Sequence, residues 1–224
     1  MSDYTKNGKC FCWGPRVTKL NPEKALLLKK HAVGKCLDIG FGSGVYTKYL
    51  KALGHRVVGI DNEPEFVRQA KKIYPDIEFI NGSIYKLPFK ENEFDTVILF
   101  DVLEHVDEKV ALKEIARVGK RAIITVPHQN QKILLQYGLA HAHNMDKTHL
   151  RNYTVKSLKN ILLVTGWRPV KVKPVLPISL SGILVTNLSR GKSVLKLILK
   201  IILKPFLPEP SIFSTVFALG QRLK

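Results

Sequence analysis

The 224-residue sequence has few acidic residues, and they are unevenly distributed. Residues 131–224 contain 15 lysines and arginines but only 2 aspartates and glutamates, and the whole chain carries a formal charge of +18 at pH 7. An excess of positive charge this large predicts that the second half faces an anionic partner. A membrane surface, a nucleic acid and an acidic substrate all fit that description.

Cysteine is also scarce. The three cysteines, Cys10, Cys12 and Cys36, are too few for a disulfide framework, which indicates a reducing cytoplasm. Cys10 and Cys12 lack the two-residue gap of a zinc knuckle, so we expect no metal there. The polar N-terminus predicts no signal peptide, and no uncharged apolar run reaches the roughly 20 residues that a spanning helix needs.

The glycine turn around which the chain is organised lacks the spacing of a dinucleotide fingerprint. Gly40, Gly42 and Gly44 follow a short apolar run, but a dinucleotide fingerprint would need its last glycine at Val45. Glycines at this spacing let the backbone turn sharply against a ligand, and the next helix aims free N–H groups at the same place. A tight connection between strand and helix without any ligand is the simpler alternative.

The hydrophobic pattern predicts an α/β fold. Seven strands are expected over 35–39, 56–60, 77–80, 94–100, 121–126, 167–174 and 215–219, and helices over 22–31, 45–53, 64–73, 108–118 and 154–165. Alternation of strands and helices indicates a doubly wound, mostly parallel, Rossmann-like sheet. We expect a single domain over 1–224, with a cofactor-binding core over 33–170 and an amphipathic helical insertion over 178–210.

A carboxylate stands at the end of the second predicted strand. Asp61 lies 17 residues past Gly44, where the carboxyl ends of parallel strands meet and ligands bind. Its carboxylate can accept two hydrogen bonds from ribose hydroxyls. Alternatively, Asp61 caps the following helix, as Asn62 could do equally well.

Several further blocks stand in order along the chain. Leu37–Gly44 is followed by 79–83, by 87–89, by 94–98 and by Val102-Leu103-Glu104-His105-Val106. Together they resemble the class I S-adenosylmethionine-dependent methyltransferases, in the branch that acts on small molecules and lipids. The resemblance covers about residues 33–170 and implies S-adenosylmethionine as the cofactor.

The resemblance also implies which residues bind that cofactor. Gly40, Gly42 and Gly44 would face its methionine part, while Asp38 would help to hold the amino group. Asp61 would bind the ribose. The remaining positions implied by the resemblance are Asn62 beside the adenine, Ser83 and Ile84 at the adenine edge and face, and Asp101 near the methionine carboxylate and the sulfonium.

Ser83 departs from the family pattern, which usually has an aspartate there. Its hydroxyl can still bond the adenine amino group, but without charge assistance. Methyl transfer from a sulfonium asks for little acid–base chemistry, so the main demand is positioning. An oxygen nucleophile would gain from a base, for which His128 and His105 are the candidates, although the resemblance favours a structural role for His105.

A histidine-rich segment follows the fifth strand. His141, His143, Asp146 and His149 fall within nine residues and have ligand types that suit a metal. The alternative is a polar lid, because Asp146, His149 and Arg151 resemble a lid-stabilising network of this branch.

The insertion carries a lysine every fourth residue between 190 and 204. Lys192, Lys196, Lys200 and Lys204 form one stripe on a helix whose other positions are apolar. Such a helix can lie in an anionic membrane interface, or it can pack on its own domain or a second subunit of a homodimer. We therefore expect a cytoplasmic protein that can bind peripherally to the inner face of the membrane.

The sequence as a whole predicts methyl transfer from S-adenosylmethionine to a small-molecule or lipid-like acceptor. An RNA methyltransferase is the first alternative, suggested by the basic second half. No Asn/Asp-Pro-Pro-aromatic motif follows the fourth strand, however, and Asp101-Val102-Leu103-Glu104 stands there instead. A non-catalytic cofactor-binding protein is the second alternative.

Overall fold

The structure is a computed structural model that describes residues 19–129, 148–178 and 212–223, with the single positions 198 and 202. Its helices are α1 (Pro22–His31), α2 (Val45–Ala52), α3 (Pro64–Ile73), α4 (Glu108–Val118) and α5 (Val155–Val164). Its strands are β1 (Cys36–Ile39), β2 (Val57–Asp61), β3 (Glu78–Asn81), β4 (Thr96–Phe100), β5 (Arg121–Pro127), β6 (Trp167–Pro177) and β7 (Phe213–Arg222).

The seven strands form one sheet in the order β3-β2-β1-β4-β5-β7-β6. Strands β1 to β5 pair in parallel, whereas β7 is antiparallel to both β5 and β6. The chain order reverses between β1 and β4, which is the switch point where open parallel sheets bind ligands. The predicted fold class, a mostly parallel seven-stranded Rossmann-like sheet, is confirmed.

Both faces of the sheet are covered, because alternate residues of each strand point to opposite sides. On β4, Val97 and Leu99 pack with α4 and α5, while Ile98 faces the other way into a cluster with α1. Trp167 is fully buried beside α4, and its indole N–H donates to the Leu112 carbonyl at 3.1 Å. The central strands are therefore packed between helices on both faces.

The helix starts follow from local chemistry. The Asn21 side chain accepts the N–H groups of Glu23 and Lys24 at 3.0 and 3.1 Å, and Pro22 occupies the first turn of α1. Helix α2 begins differently, since its N-cap, Gly44, is left-handed and provides no side-chain cap. The N–H groups at the start of α2 therefore have no competing side-chain acceptor at the cap.

The helices predicted over 22–31, 64–73 and 108–118 are confirmed at both ends, and the other predicted ends are exact or differ by one to three residues. Strand β4 begins at Thr96 rather than at 94, because Phe94 makes only an isolated bridge to Gly119. The insertion over 178–210 lies outside the described residues, apart from its first residue and positions 198 and 202; Cys10, Cys12, His141, His143 and Asp146 are also outside them. Among the helices that the structure describes, none has the length and apolar character needed to cross a bilayer.

Candidate functional site

The glycine turn and Asp61 meet at the carboxyl edge of the sheet. The Gly42 N–H donates to Asp61 Oδ2 at 3.0 Å, and the Glu63 N–H donates to Asp61 Oδ1 at 3.0 Å. Burial raises the pKa of Asp61, and the bonds from Glu63 and Gly42 offset part of this rise. Each carboxylate oxygen accepts one N–H here and has a second lone pair for a ligand hydroxyl. Helix α3 has Glu63 as its N-cap, so neither Asp61 nor Asn62 occupies that position.

The glycines of the turn serve different purposes. Gly40 has a φ of +68°, and a Cβ there would lie 2.6 Å from Val102 Cγ2, so the chain after β4 packs directly on the turn. A Cβ on Gly44 would instead meet the rings of Tyr74 and Phe79 at 3.2 Å. Gly44 therefore allows close packing of α2 against aromatic rings, and Gly40 brings β1 close to the segment after β4.

Asp38 is a buried acid on β1, two residues before Gly40. Thr47 donates its hydroxyl to Asp38 Oδ2 at 2.6 Å, and the carboxyl is 3% exposed. Burial raises the pKa of Asp38 to about 7, against the effect of the Thr47 bond. Asp38 can therefore change its protonation state near neutral pH.

The loop after β3 is tied to the same place. The Asp61 carbonyl accepts the Gly82 N–H and the Asn81 side-chain amide, each at 3.0 Å. Ser83 follows directly; it is exposed, and its hydroxyl accepts the Tyr85 N–H at 3.2 Å. Ile84 is 9% exposed and packs into the main core cluster, which limits the area it can offer to an adenine face.

Asp101, at the end of β4, is held by contacts that the sequence did not reveal. Its φ is +57°, a strained conformation for an aspartate, and Thr125 donates to its Oδ1 at 2.9 Å. Lys24 forms an ion pair with its other oxygen. Burial alone would lower the pKa of Lys24, but the charges of Asp101 and Tyr46 raise it, so this buried lysine stays protonated.

Sequence reasoning missed Lys24. The helix over 22–31 is predicted correctly from the sequence, yet nothing in the residue pattern shows that the side chain of Lys24 points inward. The ammonium lies 5.4 Å from the centre of the Phe100 ring, and Phe100 packs edge-on against Tyr46 at the start of α2. Lys24 therefore stands between the glycine turn and Asp101.

His105 has a structural environment. Its Nδ1 lies 3.2 Å from the Thr148 carbonyl and 3.0 Å from the Thr148 hydroxyl, and its ring packs on His149 at 4.7 Å. Glu104, His105 and His149 bring three possible metal-ligating atoms within 4.8 Å of one another. Arg151 adds a bond from its guanidinium to the Val106 carbonyl at 2.5 Å. These contacts fix residues 148–151 against the segment after β4.

His128 follows β5 and is half-buried. Its Nδ1 lies 3.3 Å from the Phe213 carbonyl, which can only accept, so Nδ1 carries the proton and Nε2 is the basic atom. Burial lowers the pKa of His128, and the Phe213 bond partly opposes this. His128 is therefore neutral near pH 7 and able to accept a proton.

A cavity of about 760 Å³ lies away from these groups, between the sheet face and residues 85–90. Lys35, Glu78 and Arg117 line it together with apolar side chains. Because none of Asp38, Asp61 and Asp101 lines this cavity, it is not part of the site at the carboxyl edge.

Comparison with known proteins finds methyltransferases by sequence and by fold. Residues 37–122 match the family model described as "Methyltransferase domain". The chain is 37% identical over 87 residues to a demethylmenaquinone methyltransferase of Renibacterium salmoninarum, covering 38% of this chain and 37% of that protein. A demethylmenaquinone methyltransferase of Thermotoga maritima is 32% identical over 116 residues, covering 49% of this chain and 46% of the relative.

The chain thus spans less than half the length of these curated relatives. Among solved structures, a SAM-dependent methyltransferase from Archaeoglobus fulgidus superposes with a TM-score of 0.67 at 14% identity, covering 99% of this chain and all of the other. That likeness concerns the fold. The family match over residues 37–122, together with the strand order of the sheet, supports a class I S-adenosylmethionine-dependent methyltransferase domain.

Proposed function

We propose that this protein transfers a methyl group from S-adenosylmethionine to a small, lipid-like acceptor. The main support is the hydrogen bond from the Gly42 N–H to Asp61 at 3.0 Å, with the loop at Gly82 bonded to the Asp61 carbonyl. Three strand ends meet there, and the carboxylate keeps lone pairs for the two hydroxyls of a ribose.

The residues fit the methionine part of the cofactor as well. That part is a zwitterion, and the site offers charges of both signs: the Lys24 ammonium, and the carboxylates of Asp101 and Asp38. We assign the cofactor carboxylate to Lys24 and its ammonium to Asp101 and Asp38. When the cofactor binds, its carboxylate and its ammonium replace the contact between Lys24 and Asp101. Each buried charge then stays paired, which limits the desolvation cost.

Bound S-adenosylmethionine supplies an electrophilic methyl group on a sulfonium. The protein has to hold the acceptor nucleophile in line with it and exclude water. Where that nucleophile is a hydroxyl, His128 Nε2 can take its proton, because the Phe213 carbonyl keeps the proton of the imidazole on Nδ1. His105 is assigned a positioning role through Thr148.

The acceptor class rests on relatives whose name specifies a quinone precursor, demethylmenaquinone. We therefore propose a quinol-like or other lipid-like acceptor. The peripheral membrane location, the homodimer and the contact through 190–204 remain predictions from the sequence, as do the limits of the single domain and the cytoplasmic location.

The test uses the full chain with S-adenosylmethionine labelled at the methyl group and a panel of quinols, phenols, phospholipids and RNA. We expect label in a quinol or lipid acceptor and a loss of at least about tenfold in His128→Gln if an oxygen is methylated. Transfer to RNA alone would contradict the acceptor class. Binding of the cofactor without transfer to any acceptor would favour the non-catalytic alternative.

A further inference from the structure

Six cations form a surface on the α1 side of the sheet. These residues, called the basic face below, are Lys29, Lys30, Arg121, Arg168, Lys171 and Lys173. All but Arg121, which is half-buried, are exposed. Since a helical residue adds about 1.5 Å, the last turn of α1 lies roughly 10 Å from Lys24 in its first turn.

The register of β6 and β7 shows that these side chains share one side. Lys171 stands opposite Leu219 and Lys173 opposite Phe217, and directly opposed residues of an antiparallel pair point the same way. Both Leu219 and Phe217 belong to the cluster that packs on α1. The Phe217 ring also stacks on His31 at 5.6 Å, which places Lys173 beside the end of the helix.

Arg121 and Arg168 lie on the same side. Both stand opposite Gln221 on β7, two residues beyond Leu219. Arg121 donates through Nη1 to the His31 carbonyl at 3.2 Å, so the start of β5 joins the end of α1. Burial and then the charges of Lys30, Lys171, Arg121 and Lys173 lower the pKa of His31, as one continuous positive surface requires.

Acidic side chains do not neutralise this surface in the part of the chain that the structure describes. Within those ranges, no cation of the basic face lies within 4.0 Å of a carboxylate. The remaining segments cannot supply many, because they contain three acids, Asp3, Asp146 and Glu209, against 11 lysines and arginines. The basic face is therefore available to an external anion.

Apolar side chains are interspersed with these cations. Leu26 is 62% exposed one turn before Lys30, Val33 is 44% exposed just past the helix, and Val170 is 55% exposed beside Lys171. Single-stranded nucleic acids bind surfaces that combine cations with aromatic rings for base stacking. A bilayer surface instead binds cations together with apolar side chains that reach into the headgroup region. The mixture favours a bilayer.

We infer that the basic face binds the surface of an anionic lipid bilayer. The α1 side of the sheet then lies on the membrane, and the carboxyl edge with Lys24 and Asp61 opens to the side, close to the headgroups. The assignment depends on the described residues of α1, β5 and β6 and does not require the predicted helix over 190–204.

The test measures co-sedimentation of the full chain with vesicles made of equal parts phosphatidylglycerol and phosphatidylcholine, in low salt. The variant Lys171→Gln/Lys173→Gln is compared with Lys156→Gln/Lys159→Gln, which removes the same charge from exposed positions of α5 on the opposite side of the sheet. At about fivefold per lysine, the first variant should lose between fivefold and 25-fold in affinity. The second should stay within about twofold of the wild type, with the melting temperatures of both unchanged.

A second pair of measurements separates lipid from nucleic acid. Leu26→Ser/Val170→Ser should weaken binding to the same vesicles at least about threefold while leaving retention of single-stranded RNA unchanged. Equal losses in the two lysine variants would overturn the proposal. The proposal would also be overturned if the serine variant bound vesicles as tightly as the wild type and the protein bound RNA more tightly than vesicles at the same salt concentration. Because no cofactor or acceptor is used, this outcome is independent of methyl transfer.

Discussion

The two ends of helix α1 carry the same residue type in opposite surroundings. Lys24, in the first turn, is 8% exposed and paired with Asp101, whereas Lys29 and Lys30, in the last turn, are exposed and lie within 4.0 Å of no described carboxylate. At the buried end one charge has strong, directional effects because water is excluded. At the exposed end water screens each charge, and attraction to an anionic surface grows with the number of cations.

This contrast shows that function cannot be assigned to a charge from its position in a sequence. Lys24 and Lys29 are separated by little more than one turn, yet a change at the first should affect a ligand's geometry and a change at the second only the surface potential. The following experiments test the contrast, beginning with the largest expected effect.

The strongest test at the buried edge is Gly40→Ala. An alanine would have to adopt a φ of +68° and place its Cβ 2.6 Å from Val102, so we expect a loss of about 2–5 kcal/mol in the free energy of unfolding. Gly54→Ala is the matched control, because Gly54 has a φ of +90° with open space around it and should lose only about 1–2 kcal/mol. Urea unfolding measures both; equal losses would show that the chain after β4 does not press on the turn.

The comparison within α1 is tested by Lys24→Met against Lys29→Met. Loss of a charged hydrogen bond should weaken S-adenosylhomocysteine binding about tenfold or more in Lys24→Met and leave Lys29→Met unchanged. Methylthioadenosine lacks the amino acid part, so its affinity should be the same in both variants. A general destabilisation would affect both ligands equally, and a parallel loss for the two ligands would refute the assignment of the cofactor carboxylate to Lys24.

Asp38 predicts a pH dependence of stability in the protein without ligand. Its pKa is about 7 in the folded state, above its value in the unfolded chain, so the folded state binds the extra proton between about pH 4 and 7. The stabilisation of the folded state by protonated Asp38 is fully present below the pKa of the unfolded chain and is lost as the pH rises toward 7. Asp38→Asn should therefore be more stable than the wild type by about 1–3 kcal/mol at pH 8 and equal to it near pH 4. Urea unfolding at the two pH values checks this, and a variant less stable at pH 8 would contradict it.

The smallest expected effect is at the exposed end. Since Lys171 and Lys173 help to lower the pKa of His31, Lys171→Gln/Lys173→Gln should raise that pKa slightly. An NMR titration of the His31 ring protons measures the change. Lys156→Gln/Lys159→Gln should leave it unaltered, and equal shifts in both variants would show that the basic face is not continuous at His31.

Most of the fold could be predicted because it is encoded locally. The continuous apolar runs of β2, β4 and β5, the cap at Asn21 and the glycine turn each specify their own element. The antiparallel insertion of β7 between β5 and β6 could not be predicted in this way. It depends on the pairing of Arg121 with Gln221 across 100 residues, and no local pattern records that register.

The candidate site shows the same difference between features encoded locally and contacts made across the fold. The proximity of Asp61 to the glycine turn could be predicted from spacing, because a turn at a strand end constrains its neighbours in the chain. Lys24, Thr47 and Thr125 were missed, since each reaches its partner across the fold: Asp101 for Lys24 and Thr125, and Asp38 for Thr47. Gly44 was assigned to ligand approach from spacing alone, and only the rings of Tyr74 and Phe79 show its packing role.

The central claim is that the carboxyl edge of this sheet cradles an adenosyl cofactor, and calorimetric titration of the full chain with S-adenosylhomocysteine tests it most directly. We expect one site per chain with a dissociation constant in the micromolar range, weakened about tenfold or more by Asp61→Ala through loss of the ribose bonds. Lys29→Met should bind as the wild type does. Absence of binding to the wild type, or full affinity in Asp61→Ala, would contradict the account.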